Sequence, residues 1–230
     1  MSDDPVQGIL EWPPAARLDG ADFVVTEANR AAAALVDAWP NWPGPGAGKV
    51  LAIAGAAGSG KSHLAQRWLD QRRGARIAAD ALADPALIER LTAGTALLID
   101  PVPVPLPERA LLHLINLVHE RGAFLLLVGE DPPSRWPAEL PDLASRLAAL
   151  PVAALAPPDD ALLRILLLKA FSDRQIRIDA TLLDYLVRRI ERSGAAARAI
   201  AARLDRHALA SGRGITLAWV RSVLDAEPAP

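Results

Sequence analysis

One short segment restricts the fold of this chain more than any other. Gly55-Ala56-Ala57-Gly58-Ser59-Gly60-Lys61-Ser62 matches the phosphate-binding loop pattern G-x-x-x-x-G-K-[ST] at every fixed position. Glycines in such a loop let successive backbone N–H groups turn toward a polyphosphate. Lys61 would reach the β- and γ-phosphates, and the Ser62 hydroxyl would ligate Mg²⁺. The segment predicts that the chain binds a nucleoside di- or triphosphate; the alternative is a glycine-rich structural turn.

The residues on either side of the loop favour the phosphate-binding interpretation. Residues 49–54 predict a buried strand, and residues 63–71 predict a helix. A strand–loop–helix unit places the phosphates at the helix N-terminus, where free N–H groups and the helix dipole attract anions. The predicted nucleotide contacts are Gly55, Gly58, Ser59, Gly60, Lys61, Ser62 and His63.

Composition excludes several classes of protein. The chain has 230 residues, a net charge of −2 and no cysteine, which argues against a globally basic nucleic-acid binder, disulfides and thiolate metal sites. No apolar run reaches the roughly 18 residues of a membrane span. The acidic start Ser2-Asp3-Asp4 has no apolar segment of a secretory signal behind it. A cytoplasmic protein without membrane contact is expected.

Apolar strands alternate with helices through the first two thirds of the chain. Such alternation is typical of a parallel sheet covered on both faces, with ligands at the carboxyl ends of its strands. Besides the strand before the loop, strands are predicted at residues 23–25, 75–78, 95–99, 123–128 and 152–155, and helices at residues 29–39, 84–91, 107–121 and 140–147.

The pattern changes after Pro157-Pro158, where no further strand is predicted. Helices are expected at residues 159–171, 180–192, 195–210 and 216–224. The predicted fold class is therefore α/β, a P-loop parallel-sheet core with a C-terminal all-α lid. Its expected parts are an extended tail (1–20), the nucleotide-binding core (21–156) and the helical lid (157–230).

Two acidic residues at strand ends are candidate partners of the loop. Leu97-Leu98-Ile99-Asp100 is an apolar strand that ends in a carboxylate, as expected of an aspartate that holds Mg²⁺ through water. The alternative is that Asp100 caps the next turn. Pro101 occupies the place where many ATPases carry a second acid that polarises water, so weak or absent ATPase activity is expected. Glu130 follows the next strand and would orient water, or be a solvated strand-end glutamate.

Two arginines are candidate phosphate ligands. Arg146 follows Leu143-Ala144-Ser145 on a short predicted helix, from which it would reach a nucleotide held by a neighbouring subunit. Arg198 is the one charge in a stretch of small and apolar residues, from which it would reach the chain's own phosphates. The alternative for each is a surface arginine.

The order of these features resembles the AAA+ family, and within it the DnaA/Hda branch, over residues 21–226. The resemblance depends on Asn29-Arg30-Ala31-Ala32, Gly-Lys-Ser-His-Leu at 60–64 and Leu-Leu-Ile-Asp at 97–100. Asp-Pro-Pro at 131–133 and Leu-Pro-Asp-Leu-Ala-Ser-Arg-Leu at 140–147 complete it, and the last is the most specific.

The resemblance implies a role for each matching residue. Arg146 becomes an arginine finger that acts in trans, Glu130 stands at sensor 1, Arg198 at sensor 2, and Asn29 near the nucleotide. It also implies ADP or ATP with Mg²⁺ held by Ser62 and Asp100. Pro101 and Glu130 depart from the family pattern, where a second aspartate and an aspartate are usual, and both reduce the expected self-hydrolysis.

The first residues of the chain resemble a docking peptide. Gln7, Ile9, Leu10 and Trp12 are spaced as in the Gln-x-x-Leu-x-aromatic peptides that bind the sliding clamp; the alternative is a disordered tail. Glu11 stands where the family usually has an apolar residue or proline, and is expected to weaken docking. The chain ends at Pro230 without a basic recognition helix, so direct sequence-specific DNA binding is not expected.

The resemblance implies a negative regulator of replication initiation, held on the DNA polymerase III sliding clamp, that stimulates hydrolysis of DnaA-bound ATP. Two alternatives stay open: an AAA+ helicase loader that binds single-stranded DNA and the replicative helicase, and a small-molecule kinase. Homo-oligomerisation also stays open.

Overall fold

The central element is a parallel sheet. The computed structural model describes residues 23–78, 81–82, 91–211 and 214–226, so the predicted tail and all but the last residue of the helix predicted at 84–91 lie outside them. Neighbouring strands are parallel, in the order β2-β3-β4-β1-β5, which confirms the predicted sheet. The strands are β1 (Val50–Gly55), β2 (Ala75–Arg76), β3 (Ala96–Ile99), β4 (Phe124–Gly129) and β5 (Val152–Leu155).

The apolar strands are buried because helices cover both faces of the sheet. Successive side chains of β1 alternate between the faces: Val50 and Ala52 pack on one side, Leu51 and Ile53 on the other. The first side is covered by α4 (Glu108–Arg121) and α5 (Pro141–Ala148). The second is covered by α1 (Arg30–Asp37) and α3 (Lys61–Arg72), and the short helix α2 (Pro45–Gly48) leads into β1.

Three strands end at the same edge of the sheet, and this edge positions the site. Ile53 is level with Val128 on β4, and Ile99 on β3 is level with Leu127. Gly55, Asp100 and Glu130 therefore stand close together at the carboxyl ends of β1, β3 and β4. The pairing of β3 with β4 brings the ends of the strands that precede Asp100 and Glu130 side by side.

The remaining described residues form a helical unit with its own core. Asp159 and Asp179 cap α6 and α7, accepting hydrogen bonds from the N–H groups of Leu162 (2.8 Å) and Leu182 (2.7 Å). No strand occurs after residue 158 in the described ranges, and no described helix is long and apolar enough to cross a membrane. The helices are α6 (Asp160–Ser172), α7 (Ala180–Val187), α8 (Gly194–Ser211) and α9 (Leu217–Ala226).

Several predicted elements differ from the structure, and for two of them the hydrogen bonds give the reason; the strand predicted at 75–78 spans only Ala75–Arg76, and the helix predicted at 29–39 spans Arg30–Asp37. Residues 23–25 form no strand, because the Asn29 side chain accepts a hydrogen bond from Thr26 N (2.8 Å) and donates one to the Val24 carbonyl (2.9 Å). These bonds fold the segment into a turn. Helix α7 ends at Val187 instead of residue 192. Just after Val187, both Arg189 N and Ile190 N donate to the Leu186 carbonyl, so the regular helical hydrogen-bond pattern stops there.

Candidate functional site

The loop between β1 and α3 needs glycine at two positions for different reasons. Gly60 has φ +97°, a left-handed conformation that side chains disfavour, and it precedes the first residue of α3. Gly58 has φ +74°, and a Cβ built on it would overlap Ser193, which is buried at the start of α8. The loop is thus in direct contact with the helical unit.

Lys61 lies over the loop that precedes it. Its Nζ donates to the carbonyl oxygens of Gly55 (2.5 Å) and Ala56 (2.7 Å). Burial lowers the pKa of the Lys61 ammonium, and the negative charges of Glu130 and Asp100 oppose that shift. The cation is therefore partly desolvated and held at the loop, where a phosphate would replace the carbonyl oxygens as its partner.

Two oxygen donors that suit Mg²⁺ are adjacent. The Ser62 hydroxyl donates to Asp100 Oδ1 at 3.1 Å, and the Asp100 side chain is only 4 % exposed. Mg²⁺ at phosphate sites takes few protein ligands and completes its shell with water and phosphate oxygens. The described residues contain no cluster of three or more acidic, histidine or cysteine side chains that would hold a metal alone. Ser62 and Asp100 therefore fit a nucleotide-associated Mg²⁺.

Arg76 is a site residue that sequence reasoning missed. Its Nη1 donates to Asp100 Oδ2 at 3.0 Å and to the Asp100 carbonyl oxygen at 3.1 Å. Arg76 is at the end of β2, the strand that pairs with β3. The sequence feature that could have indicated this role is an arginine at the end of a predicted strand, since that strand pairs with the strand that precedes Asp100.

A cavity of about 260 Å³ opens beside the loop. Asn29 is buried and fixes the turn that carries Phe23, so it shapes the cavity wall through the backbone. His63 packs edge-to-face on Phe23, with ring centroids 5.7 Å apart. The cavity is lined by Phe23, Val24, Asn29, Gly58, Ser59, Gly60, Lys61, Ser62, His63, Pro158, Leu162, Leu166, Gly194, Ala195 and Arg198.

The structure brings some of the predicted site residues together and separates others. Lys61, Ser62 and Asp100 are brought together at the loop, and Arg198 lines the cavity from α8. Glu130 is exposed at the end of β4, and its carbonyl accepts a hydrogen bond from Gly55 N at 2.9 Å. The predicted docking peptide with Gln7, Ile9, Leu10 and Trp12 lies outside the described residues.

Sequence reasoning missed the apolar wall of the cavity, because its residues carry no motif; they are Phe23, Val24, Pro158, Leu162 and Leu166.

Arg146 is not part of this cavity lining. It is in the last turn of α5, just before the edge strand β5, and its Nε donates to Asp142 Oδ1 at 3.0 Å. The Arg146 side chain is 39 % exposed. The helix approaches the amino end of β5, whereas the loop follows the carboxyl end of β1. The end of α5 and the loop therefore lie at opposite ends of two parallel, paired strands.

Glu108 anchors the segment that leads into α5. Its carboxylate accepts hydrogen bonds from Glu139 N (2.9 Å) and Leu140 N (2.7 Å), and these bonds lower the pKa of Glu108. A carboxyl whose pKa is lower in the folded state stabilises the fold above its unfolded pKa, and this contribution is lost as pH falls through the folded pKa.

We expect Glu108→Gln to lower the melting temperature at pH 7 by about 1–3 °C, because a neutral amide accepts these bonds more weakly. The difference in melting temperature from the wild type should shrink as the pH falls below 4.5, the ordinary pKa of the group, because the wild-type carboxyl becomes neutral as the pH passes through its lowered pKa in the folded state. Thermal melts across pH measure both. Glu120→Gln, at an exposed position of the same helix, is the control. An equal difference at pH 3 and pH 7 would contradict the role of the charge.

No family model matches the chain, but solved structures share its fold. Domain III of the replication initiation protein DnaA from Thermotoga maritima has a TM-score of 0.73 at 20 % identity, over 93 % of this chain and 98 % of that one. AMPPCP-bound DnaA from Aquifex aeolicus has a TM-score of 0.64 at 17 % identity, over 84 % and 66 %. A point mutant of RuvB from Thermotoga maritima has a TM-score of 0.68 at 16 % identity, over 90 % and 72 %.

These likenesses show that the chain has the AAA+ fold. The expected likeness to DnaA is confirmed for the fold alone, and RuvB shares that fold too. The chain spans about two thirds of the Aquifex DnaA chain, so the activity of that whole protein is not carried over with the fold.

Proposed function

We propose that this chain binds ADP or ATP at the loop and acts as a negative regulator of replication initiation that promotes hydrolysis of ATP bound to DnaA. The observation that carries the proposal is the position of Arg146, half-exposed beside the edge strand and outside the lining of the chain's own cavity. A guanidinium in that position is available to the phosphates of a neighbouring AAA+ protein.

Three features support nucleotide binding. The loop follows β1 and precedes the N-terminus of α3, so its N–H groups suit an anion. Lys61, Ser62 and Asp100 meet at the loop, with the Ser62 and Asp100 oxygens 3.1 Å apart. The cavity beside it has an apolar wall of Phe23, Leu162 and Leu166 for a nucleoside, and the Aquifex DnaA structure of the same fold is AMPPCP-bound.

Regulation is favoured over self-hydrolysis by what lies next to Asp100. Pro101 has no side chain that activates water, and Glu130 is exposed at the end of β4. A bound nucleotide is then a structural ligand that holds the helical unit against the core. The chain's own turnover is weak or absent, and its chemical contribution is Arg146. In the transition state, this guanidinium would neutralise the charge that develops on the transferred γ-phosphoryl group of DnaA-bound ATP.

The proposal is tested by following hydrolysis of ATP pre-bound to DnaA, with this chain present, in the presence and absence of DNA-loaded sliding clamp. We expect acceleration that requires the loaded clamp, because Gln7, Ile9, Leu10 and Trp12 would hold the chain there. No acceleration, together with no binding to the clamp, would exclude this function. Binding of replicative helicase and of single-stranded DNA that weakens steeply with salt would then favour a helicase loader.

The docking peptide makes a separate prediction. The double variant Leu10→Ala/Trp12→Ala should lose clamp binding by at least about tenfold, because apolar anchors carry most of the energy of such contacts. Val6→Ala, next to the peptide, is the matched control. Surface plasmon resonance on immobilised clamp gives the affinity. If the double variant binds as the wild type does, the peptide is not the clamp contact, whatever the outcome for Arg146.

A further inference from the structure

Arg76 is held in place from two sides at the Asp100 carboxylate. Nη1 contacts both a carboxylate oxygen and the carbonyl oxygen of Asp100, while Nη2 donates to Gln66 Oε1 at 2.9 Å. Gln66 is itself oriented, since its Nε2 donates to Asp70 Oδ1 at 2.6 Å. A fork of guanidinium donors that satisfies three acceptors has a fixed orientation. Arg76 is exposed, with 39 % of its side chain accessible, but these contacts hold its guanidinium at Asp100.

The charges around Asp100 are already balanced by the chain. A buried carboxylate needs hydrogen bonds or a countercharge. Ser62 supplies a hydrogen bond to Oδ1 and Arg76 supplies a positive charge at Oδ2, 3.0 Å away. In P-loop proteins a carboxylate in this place helps to hold Mg²⁺, which is then a major local positive charge. Here a guanidinium already contacts one of the two Asp100 carboxylate oxygens.

We propose that Arg76 is an internal countercharge for Asp100 that competes with Mg²⁺, so that this chain holds ADP with little dependence on Mg²⁺. The inference depends on the proposed nucleotide binding at the loop. Arg76 places a positive charge 3.0 Å from an oxygen of the carboxylate that would help to hold Mg²⁺, and like charges repel. Arg76 would act on Mg²⁺ binding only through Asp100.

The test is calorimetric titration of ADP into the full chain, in EDTA and in excess Mg²⁺. The measured quantity is the ratio of the two dissociation constants. For the wild type we expect a ratio below about threefold, and for Arg76→Gln a ratio of about tenfold or more, because the Asp100 carboxylate then has no countercharge and favours Mg²⁺. In an Asp100→Asn background, Arg76→Gln should leave the ratio unchanged, because the shared carboxylate is gone.

Arg206→Gln is the matched control, since Arg206 is exposed on α8 and does not line the cavity; its ratio should equal that of the wild type. A wild-type ratio of about tenfold or more, or an unchanged ratio in Arg76→Gln, would overturn the inference. If Arg76→Gln does not fold, Arg76→Lys replaces it: the charge is kept, so the ratio must stay low. If the wild type binds no ADP in either buffer, the nucleotide site itself fails, a result distinct from failure of the Arg76 inference.

Discussion

Replacing Arg146 with alanine should lower the clamp-dependent rate of ATP hydrolysis on DnaA by up to about 10³–10⁵-fold, the range by which arginine fingers accelerate other NTPases. The effect is large because the guanidinium acts on charge that exists only in the transition state. ADP binding by this chain should be unchanged, since Arg146 does not line its cavity. Stability should change little, because the ion pair of Arg146 with Asp142 is exposed.

The measurement is single-turnover hydrolysis of ATP pre-bound to DnaA. Arg135→Ala is the matched control: Arg135 is also an exposed arginine paired with an aspartate four residues away, in the segment before α5. Arg146→Lys should recover only part of the rate, because an ammonium cannot reproduce the planar fork. Full stimulation by Arg146→Ala would show that another group supplies the charge. If Arg135→Ala also lost stimulation of ATP hydrolysis on DnaA, the effect would come from a general loss of surface charge and not from an arginine finger at Arg146.

Replacing Lys61 with alanine should weaken ADP binding to this chain by at least about thirtyfold, or roughly 2 kcal/mol. The Lys61 ammonium is partly desolvated at the loop, and this burial lowers its pKa. A phosphate bound next to the ammonium therefore gains a charge-assisted contact in a weakly screened environment. Removing the cation leaves the phosphate with backbone N–H donors alone. Titration of ADP by calorimetry gives the affinity.

Lys49→Ala is the control for Lys61→Ala. Lys49 precedes the other end of β1, and its Nζ lies 4.1 Å from the centroid of the Phe124 ring, far along the strand from the loop. ADP affinity should not respond to its loss. If both variants bind ADP as tightly as the wild type does, the loop is a structural turn and the alternative given by the sequence alone holds.

The parts of the fold that the sequence predicted well are those with strong local signals. The buried strands β1, β3, β4 and β5 are each continuous apolar runs, and their bounds fall within a residue or so of the prediction. The loop is recognisable because its spacing is fixed by backbone geometry. The adjacency of Ser62 and Asp100 followed from one rule, that parallel strands end at the same edge.

The parts that were missed depend on contacts between distant residues. Arg76 carries no motif, and its role appears only when β2 pairs with β3. The contact of Gly58 with Ser193 joins two units far apart in sequence, which no local pattern encodes. Residues 23–25 have the apolar composition of a strand, but the Asn29 side chain takes the backbone groups that a strand partner would need.

Residues of the core and of the helical unit both line the cavity, so the nucleotide site is complete only in a protein that contains both. A fragment that ends at residue 156 would keep the whole phosphate loop and the sheet, and by sequence motifs alone it would look complete. It would nevertheless lack Pro158, Leu162, Leu166, Gly194, Ala195 and Arg198, and with them one entire side of the cavity. Weak nucleotide binding by such a fragment would describe a half-built pocket, and inhibitor screening or crystallisation with ligands should start from the full chain.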